Sequence, residues 1–348
     1  MVELGSCPLP FRDYDKVTIA HGGGGVLTQE LIQKLFIPAF GDAAADATPT
    51  DAATLAVGAG RIAFTTDSYV VRPLFFPGGD IGQLSVHGTV NDLAMAGAQP
   101  LALSTAFVLE EGLEMGVLHR IATSMGAAAT AAGVGLVTGD TKVVDAGLAD
   151  GMYITTAGVG VIPDGVDLRP ERVVPGDAVI LSGTIGRHGT AVMSVREGLE
   201  FGTELVSDSA PLNGLVESML SVCPDIHALR DLTRGGMAAA LCEIAEIASV
   251  GVRYVEAAVP VPPEVDAACG FLGLDPIHVA NEGRLVAFAP AEEAEALVVE
   301  MPQHELGADA VIIGEVTEEN AGVVTARTAL GTHRIVDQPL GEQLPRIC

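Results

Sequence analysis

Along the first half of the chain the apolar positions switch between two periods. KVTIA reads as a short strand that runs into the glycine run HGGGG. In TQELIQKLFIPAF the apolar residues Leu31, Ile32, Leu35 and Phe36 fall on one helical face, with Thr28 as the N-cap. RIAFTTDSYVV predicts a strand. From Asp80 to Gly97 the spacing is helical again: Asp80 caps, Ile81, Leu84 and Leu93 point inward, and Gly97 closes the end. PLALSTAFVLEE predicts a strand, MGVLHRIATSMGAAATAAG a helix of small residues, and LVTGDTKVV and MYITTAGVGVI two further strands.

Near residue 163 the texture changes. PDGVDLRPERVVPGD carries three prolines and charges of both signs, and reads as a connection between domains. A second series follows, with AVILSGTIG as strand, TAVMSVREGL as helix, and two more helices through SMLSV and GMAAALCEIAEIA. VRYVEA, RLVAFAP and AVIIGEV predict strands, with the helix AEEAEALVVEM among them. Both halves therefore read as α/β or α+β layers. The expected domains are 1–163, 164–336 and a tail over 337–348 that bears Pro339, Gly341 and Pro345 and ends in Cys348. No short-period repeat and no low-complexity segment is seen.

Composition narrows the function. A chain of 348 residues exceeds one ordinary core, which agrees with two domains. A formal charge of −27 leaves no basic stripe for phosphates, so nucleic acid and anionic membrane surfaces are excluded as partners. No window approaches a membrane span, and MVELGSC lacks the layout of a signal peptide. Cys7, Cys223, Cys242, Cys269 and Cys348 are odd in number and scattered, with no CxxC pair. They indicate neither a disulfide framework nor a zinc site, and a reducing cytoplasm is the expected location. The first four read as small buried hydrophobes.

The candidate chemistry is carboxylate-rich. Asp51, Asp67, Asp92, Asp140 and Asp231 each sit beside Thr, Asn or Gly and next to apolar runs. One alone reads as a turn former or cap. Together they suit magnesium held against phosphates, because that ion takes few carboxylates plus phosphate and water. HGGGG, GDT and TRGG supply tight turns with backbone N–H groups, and TRGG opens a helix beside Arg234 and Gly235. Only three lysines exist, and Lys142 lies in GDTKVV next to Thr141. Neither GxxxxGK[ST] nor GxGxxG occurs, so any ATP site is of another type. His87 and Asn91 share a helical face, and Gly88 inside that helix calls for a close neighbour or a ligand. From spacing alone His87 reads first as a satisfied core histidine, and Glu282, ahead of an apolar strand, as a loop carboxylate in water.

The motifs HGGGG, TTDSYVVRPLFFPGGDIG, GTVNDLAMAGAQP, TGDTKVV, DLTRGGMA, NEG and the terminal PRIC follow one another over essentially the whole chain. In that order they resemble the HypE family of hydrogenase-maturation proteins. That family lies within the aminoimidazole-ribotide synthetase and selenophosphate synthetase ATP-binding superfamily, with thiamine-monophosphate kinase. The resemblance implies an α/β two-domain fold of the aminoimidazole-ribotide-synthetase type. Its N-terminal domains would pair in a homodimer with a β-barrel-like core, followed by a C-terminal α+β domain and a flexible tail. It implies a carbamoyl dehydratase: HypF carbamoylates Cys348, ATP drives dehydration of the S-carboxamide to an S-cyanide, and the HypC–HypD complex accepts the cyanide. The product serves the Fe(CN)2CO centre of nickel–iron hydrogenase. By position, Asp51, Asp67, Asp92 and Asp231 would hold Mg2+, with Asp140, Thr141, Lys142, Arg234 and Gly235 at the nucleotide. Cys348 would be the carrier, and Glu282 and His87 the proton-handling pair.

Two rivals remain. A selenophosphate synthetase-like enzyme of the same fold commonly uses a reactive Cys or selenocysteine in its glycine loop, and HGGGG contains none. A non-catalytic nucleotide-binding carrier presenting Cys348 would not need the aspartate set.

Overall fold

The computed structural model describes residues 26–31, 33–34, 52–58, 60–198, 205–338, 344 and 346–348. The KVTIA strand, HGGGG and Asp51 lie outside the described residues. The short helix α1 spans Val26–Leu31, so it begins two residues before Thr28 rather than being capped by it. The first layer then comprises β1 (Ala53–Val57), β2 (Gly60–Tyr69), the small ribbon β3 (Phe75–Phe76) and β4 (Gly79–Asp80), and helix α2 (Ile81–Met95). It continues with β5 (Gln99–Glu110), helix α3 (Met115–Ala131), β6 (Gly135–Val144) and β7 (Met152–Ile162). Five strands form one sheet in the order β1-β2-β7-β5-β6. Only β5 and β6 pair in parallel, with α3 as the crossover between them.

Alternation along β2 and β7 sets the faces of this sheet. Ala63, Thr65 and Tyr69 are buried on the side covered by α2, whereas Phe64, Thr66 and Ser68 are exposed on the other. The bare side carries Phe64 and Val161 as exposed apolar residues. β6 is an edge strand and exposed along most of its length.

After a connection that makes one tight turn at Pro170–Arg172, the second layer begins with β8 (Asp177–Leu181). Helices α4 (Arg187–Arg196) and α5 (Asn213–Val222), β9 (Ala228–Asp231), α6 (Gly236–Ala248), β10 (Gly251–Val255) and α7 (Pro263–Leu272) follow. The chain closes with β11 (Leu285–Pro290), α8 (Ala294–Glu300), β12 (Val311–Thr317), β13 (Val324–Arg327) and β14 (His333–Val336). Seven strands pair in the order β14-β13-β10-β12-β8-β11-β9. β8 and β11 are covered on both faces. Val179, Leu181, Val286 and Phe288 pack with Met237 and Leu241 of α6, while Ile180, Leu285 and Ala287 pack with Leu215 and Leu297 on the other side. That explains why both strands read as unbroken apolar runs. Each fully buried Leu, Ile or Phe there is worth about 1.5–3 kcal/mol relative to an exposed one.

Helix α2 is the pivot of the molecule. Asp80 caps it, accepting from Gly82 N at 2.8 Å and Gln83 N at 3.1 Å. Thirteen of its fifteen residues are buried, so it has no solvent face. It packs on β2 and β7 of its own layer and reaches α5 and β9 of the second. The predicted strand AVILSGTIG is shorter in the structure: β8 stops at Leu181, and the chain turns before α4.

Candidate active site

The cleft between the layers is walled by β2, α2, the end of β9 and the loop before β11. Thr65, Asp67 and Tyr69 share the covered face of β2 by alternation. Thr65 Oγ1 donates to Asp92 of α2 at 2.7 Å. Tyr69 brings its buried hydroxyl against Gly88, where a Cβ would lie 2.2 Å from that oxygen. The close neighbour expected at Gly88 is therefore Tyr69. Asp231 ends β9, buried, and the TRGG turn carries Arg234 to 3.9 Å from Asp67. Gly235, with φ +81°, allows the sharp entry into α6 that a side chain would strain.

Electrostatics bind this set together. Burial, then the charges of Asp231 and Asp67, push the Asp92 carboxyl well above its ordinary range. Burial, with Asp67 adding to it, pushes Asp231 up to about 6 despite the opposing charge of Arg230. Burial, then Asp231, Asp67 and Asp208, raises Glu282 likewise. Tyr69 is raised by burial, then Asp67, Asp92 and Glu282. Such mutual repulsion marks a site that a cation would relieve. Among the described residues no three His, Cys, Asp or Glu stand close enough to hold an ion by themselves. The donor set thus fits an ion that takes one or two carboxylates and completes its shell with phosphate and water, the habit of Mg2+.

Glu282 is 2% exposed, and its Oε1 has no hydrogen-bond partner. Its backbone is clamped: N donates to Asp208 Oδ1 at 3.1 Å, and its carbonyl accepts from Ala210 N at 3.2 Å and Asn91 Nδ2 at 3.3 Å. Asn91 also donates to the Ala210 carbonyl and accepts from Leu212 N. His87, one turn earlier on α2, is buried with Nδ1 3.0 Å from Ser209 Oγ, and burial lowers it to about 4. The segment from Leu205 to Leu212 therefore straps the two layers together.

The chain end docks on the extension of the strand that carries Asp67. Cys348 is 8% exposed, and Leu344 and Ile347 are buried with it in an apolar cluster that joins the first layer to α4 and α7. Val70 N donates to Cys348 O at 3.1 Å and Arg72 N to Arg346 O at 3.0 Å, so the tip pairs antiparallel with the extension of β2. Arg346 anchors it further, donating to Val70 O at 2.9 Å and Asp150 Oδ2 at 2.7 Å. Cys348 thus sits one residue from Tyr69 across the pairing and three from Asp67.

The structure brings Asp67, Asp92, Asp231, Arg234, Gly235, Glu282 and His87 to one cleft, and seats Cys348 on the extension of the strand that carries Asp67. It does not bring Asp140, Thr141 and Lys142 there within one chain. Asp140 aligns through Ala106 and Thr155 with Ser68, so it and Lys142 lie on the bare face, opposite to Asp67. Both are exposed and paired at 2.7 Å, and the Lys142 hydrogen bond holds Asp140 below the usual carboxylate range. Sequence reasoning missed Tyr69, Asp208, Ser207, Ser209 and His188, all buried or half-buried in the cleft wall. SDS at 207–209 was a legible polar interruption, but nothing in the spacing tied it to α2. Cys223 and Cys269 are buried as expected, and Cys242 is half-buried with its thiol against Val336 O.

This architecture and cleft define a member of the AIR synthase related proteins: the model of their N-terminal domain matches residues 49–162 and that of their C-terminal domain residues 174–327. A carbamoyl dehydratase HypE of Rhizobium leguminosarum bv. viciae is 54% identical over 96% of this chain and 95% of its own length. A crystal structure of HypE in complex with ATP superposes with a TM-score of 0.81 at 47% identity, covering 96% of this chain and all of that one. A HypE–HypF complex gives 0.83 at 48% identity over 89% and 99%. The chain belongs to the HypE family of carbamoyl dehydratases. Among the described residues, no helix is long and apolar enough to cross a membrane.

Proposed function

We propose that Cys348 carries a carboxamide which the cleft dehydrates with ATP to an S-cyanide, the cyanide donor for the Fe(CN)2CO centre of nickel–iron hydrogenase. The observation that carries this reading is the buried chain end: Cys348 is held on the extension of β2, three residues along from Asp67, rather than in solvent. In the first step the amide oxygen takes the terminal phosphoryl group of ATP, which turns a poor leaving group into a good one. Both protons then leave the nitrogen, the C–O bond breaks, and the products are S–C≡N, ADP and phosphate. Bound Mg2+ would neutralise phosphate charge, taking one or two carboxylates from among Asp67, Asp92, Asp231 and Asp51 and filling its shell with phosphate and water.

The remaining work falls to the chain itself. Arg234 and the N–H groups opening α6 would receive phosphate oxygens. Glu282, desolvated and with no hydrogen-bond partner at Oε1, would be the base for the amide nitrogen, and neutral His87 would relay the proton. Because the carboxamide belongs to the chain, it meets ATP without a second diffusional encounter. HypF would load Cys348, in keeping with the relative solved as a HypE–HypF complex, and HypC–HypD would accept the cyanide. The exposed apolar face with Phe64 and Val161, flanked by the open β6 edge, supports a homodimer closed sheet to sheet. A second copy on that face would also cover Asp140 and Lys142. A reducing cytoplasm keeps the thiol available.

The test is intact-mass analysis with HypF, carbamoyl phosphate and ATP. The parent chain should gain one carbamoyl group and then lose one water, whereas Cys348→Ser should fold, bind ATP and show neither change. Water loss in the Ser variant would remove Cys348 from the reaction.

A further inference from the structure

His188, in the first turn of α4, is fully buried, and the sequence gives no reason to single it out. Its Nε2 lies 2.7 Å from the carbonyl oxygen of Ile347, and its Nδ1 lies 2.8 Å from Ser207 Oγ. A carbonyl can only accept, so Nε2 carries the proton. Burial lowers His188 to about 4, which keeps the ring neutral, so Nδ1 presents a lone pair and the Ser207 hydroxyl donates to it. The Ser207 oxygen in turn accepts from Ser209 N at 3.1 Å. Phe76 meets the ring edge-on at 5.3 Å, which fixes its plane.

We propose that His188 is a positioning residue for the reaction: oriented by Ser207, its Nε2–H seats the Ile347 carbonyl and so holds the Cys348 thiol in the cleft. The inference rests on the carrier role given to Cys348 above. It adds that seating is set by the strap which also holds the proton-handling pair. Ser207 orients His188, Asp208 holds the Glu282 backbone, and Ser209 holds His87. Three consecutive residues thus place the substrate end and both candidate proton carriers in one frame. Strand-like pairing with Val70 and Arg72 fixes the tip along its length, and His188 fixes it from the opposite wall.

The experiment times alkylation of Cys348 by iodoacetamide in the full-length chain, read from the mass of the C-terminal peptide. His188→Ala should raise the rate about five- to tenfold, as expected for losing one net hydrogen bond from the seated state. His188→Gln, which keeps an N–H at the same reach, should stay within about twofold of the parent, and Ser207→Ala should fall between. Carbamoylated His188→Ala should lose water more slowly in the same proportion, and Gln should rescue it. An unchanged Cys348 rate in His188→Ala with parental circular dichroism overturns the proposal. So does a Gln variant as fast as the Ala one. Should His188→Ala fail to fold, Ser207→Ala decides alone, since a parental rate there overturns the proposal and a raised one supports it. Failure of the carrier role would appear instead as no water loss in the parent chain, and would leave the alkylation readout intact.

Discussion

Replacing Glu282 by Gln removes the titratable carboxyl, and with it the base, while changing almost no volume. The clamped backbone, held by Asp208, Ala210 and Asn91, does not depend on the side chain, so the amide of Glu282→Gln should occupy the same place. A positioned general base typically contributes 10²–10⁴-fold, or about 2.7–5.5 kcal/mol of barrier at 1.36 kcal/mol per tenfold. Conversion of the S-carboxamide should slow by that range, with carbamoylation and ATP binding retained. Stability should move the other way. Glu282 is raised in the folded state by burial, then Asp231, Asp67 and Asp208, so the parent binds more protons folded than unfolded between its two values. Its stability therefore falls as pH rises through that window, and the Gln variant escapes the loss. Single-turnover mass spectrometry would follow the chemistry, and thermal melts at pH 5 and pH 8 the stability. A variant that converts at the parental rate, or that melts further below the parent at pH 8 than at pH 5, would refute the reasoning.

Three further outcomes follow from the same cleft. Asp67→Asn and Asp92→Asn should keep the circular dichroism of the parent but lose magnesium-dependent ATP turnover by at least about 10²-fold; normal turnover in both would remove them from the phosphate site. Burial raises Asp231 in the folded protein, so protons compete with Mg2+ for it and turnover should fall as pH drops through the acid range. Protonation of Asp231 would take a carboxylate away from the cation, so Mg–ATP should stabilise the protein more at pH 8 than at pH 5, and equal melting shifts would contradict this. Appending Ala-Ala after Cys348 keeps the thiol but moves the terminal carboxylate now bonded to Val70 N, so water loss should drop at least about tenfold, and full conversion would mean that the pocket tolerates an extended end.

The helices and strands with one dominant period were readable from sequence. Asp80 to Gly97 is the clearest case, since a cap, a period and a stop signal agree. β13, β14 and α7 were not anticipated. The two strands are only four residues each, and in α7 only Val265, Ala268 and Cys269 are buried, although Pro263 at its first turn is a fair start signal. The carboxylate wall was visible as residue types beside glycine turns. What sequence spacing could not supply was facing. Asp67 and Asp140 look alike in TTDSYV and TGDTKVV, yet strand alternation sends them to opposite sides of the sheet. The strap was hidden for a similar reason, because His87 and Ser209 are 122 positions apart in the chain.

A docked chain end alters how the catalyst counts its substrate. A tip held by Val70, Arg72 and His188 is presented at the effective concentration of a short tether, about millimolar or above, whatever the amount of protein in solution. Turnover of the carbamoylated form is then first order and indifferent to dilution. A free peptide copying the last residues would compete poorly at micromolar levels. Inhibition is better aimed at the nucleotide, the one reactant that must arrive from outside.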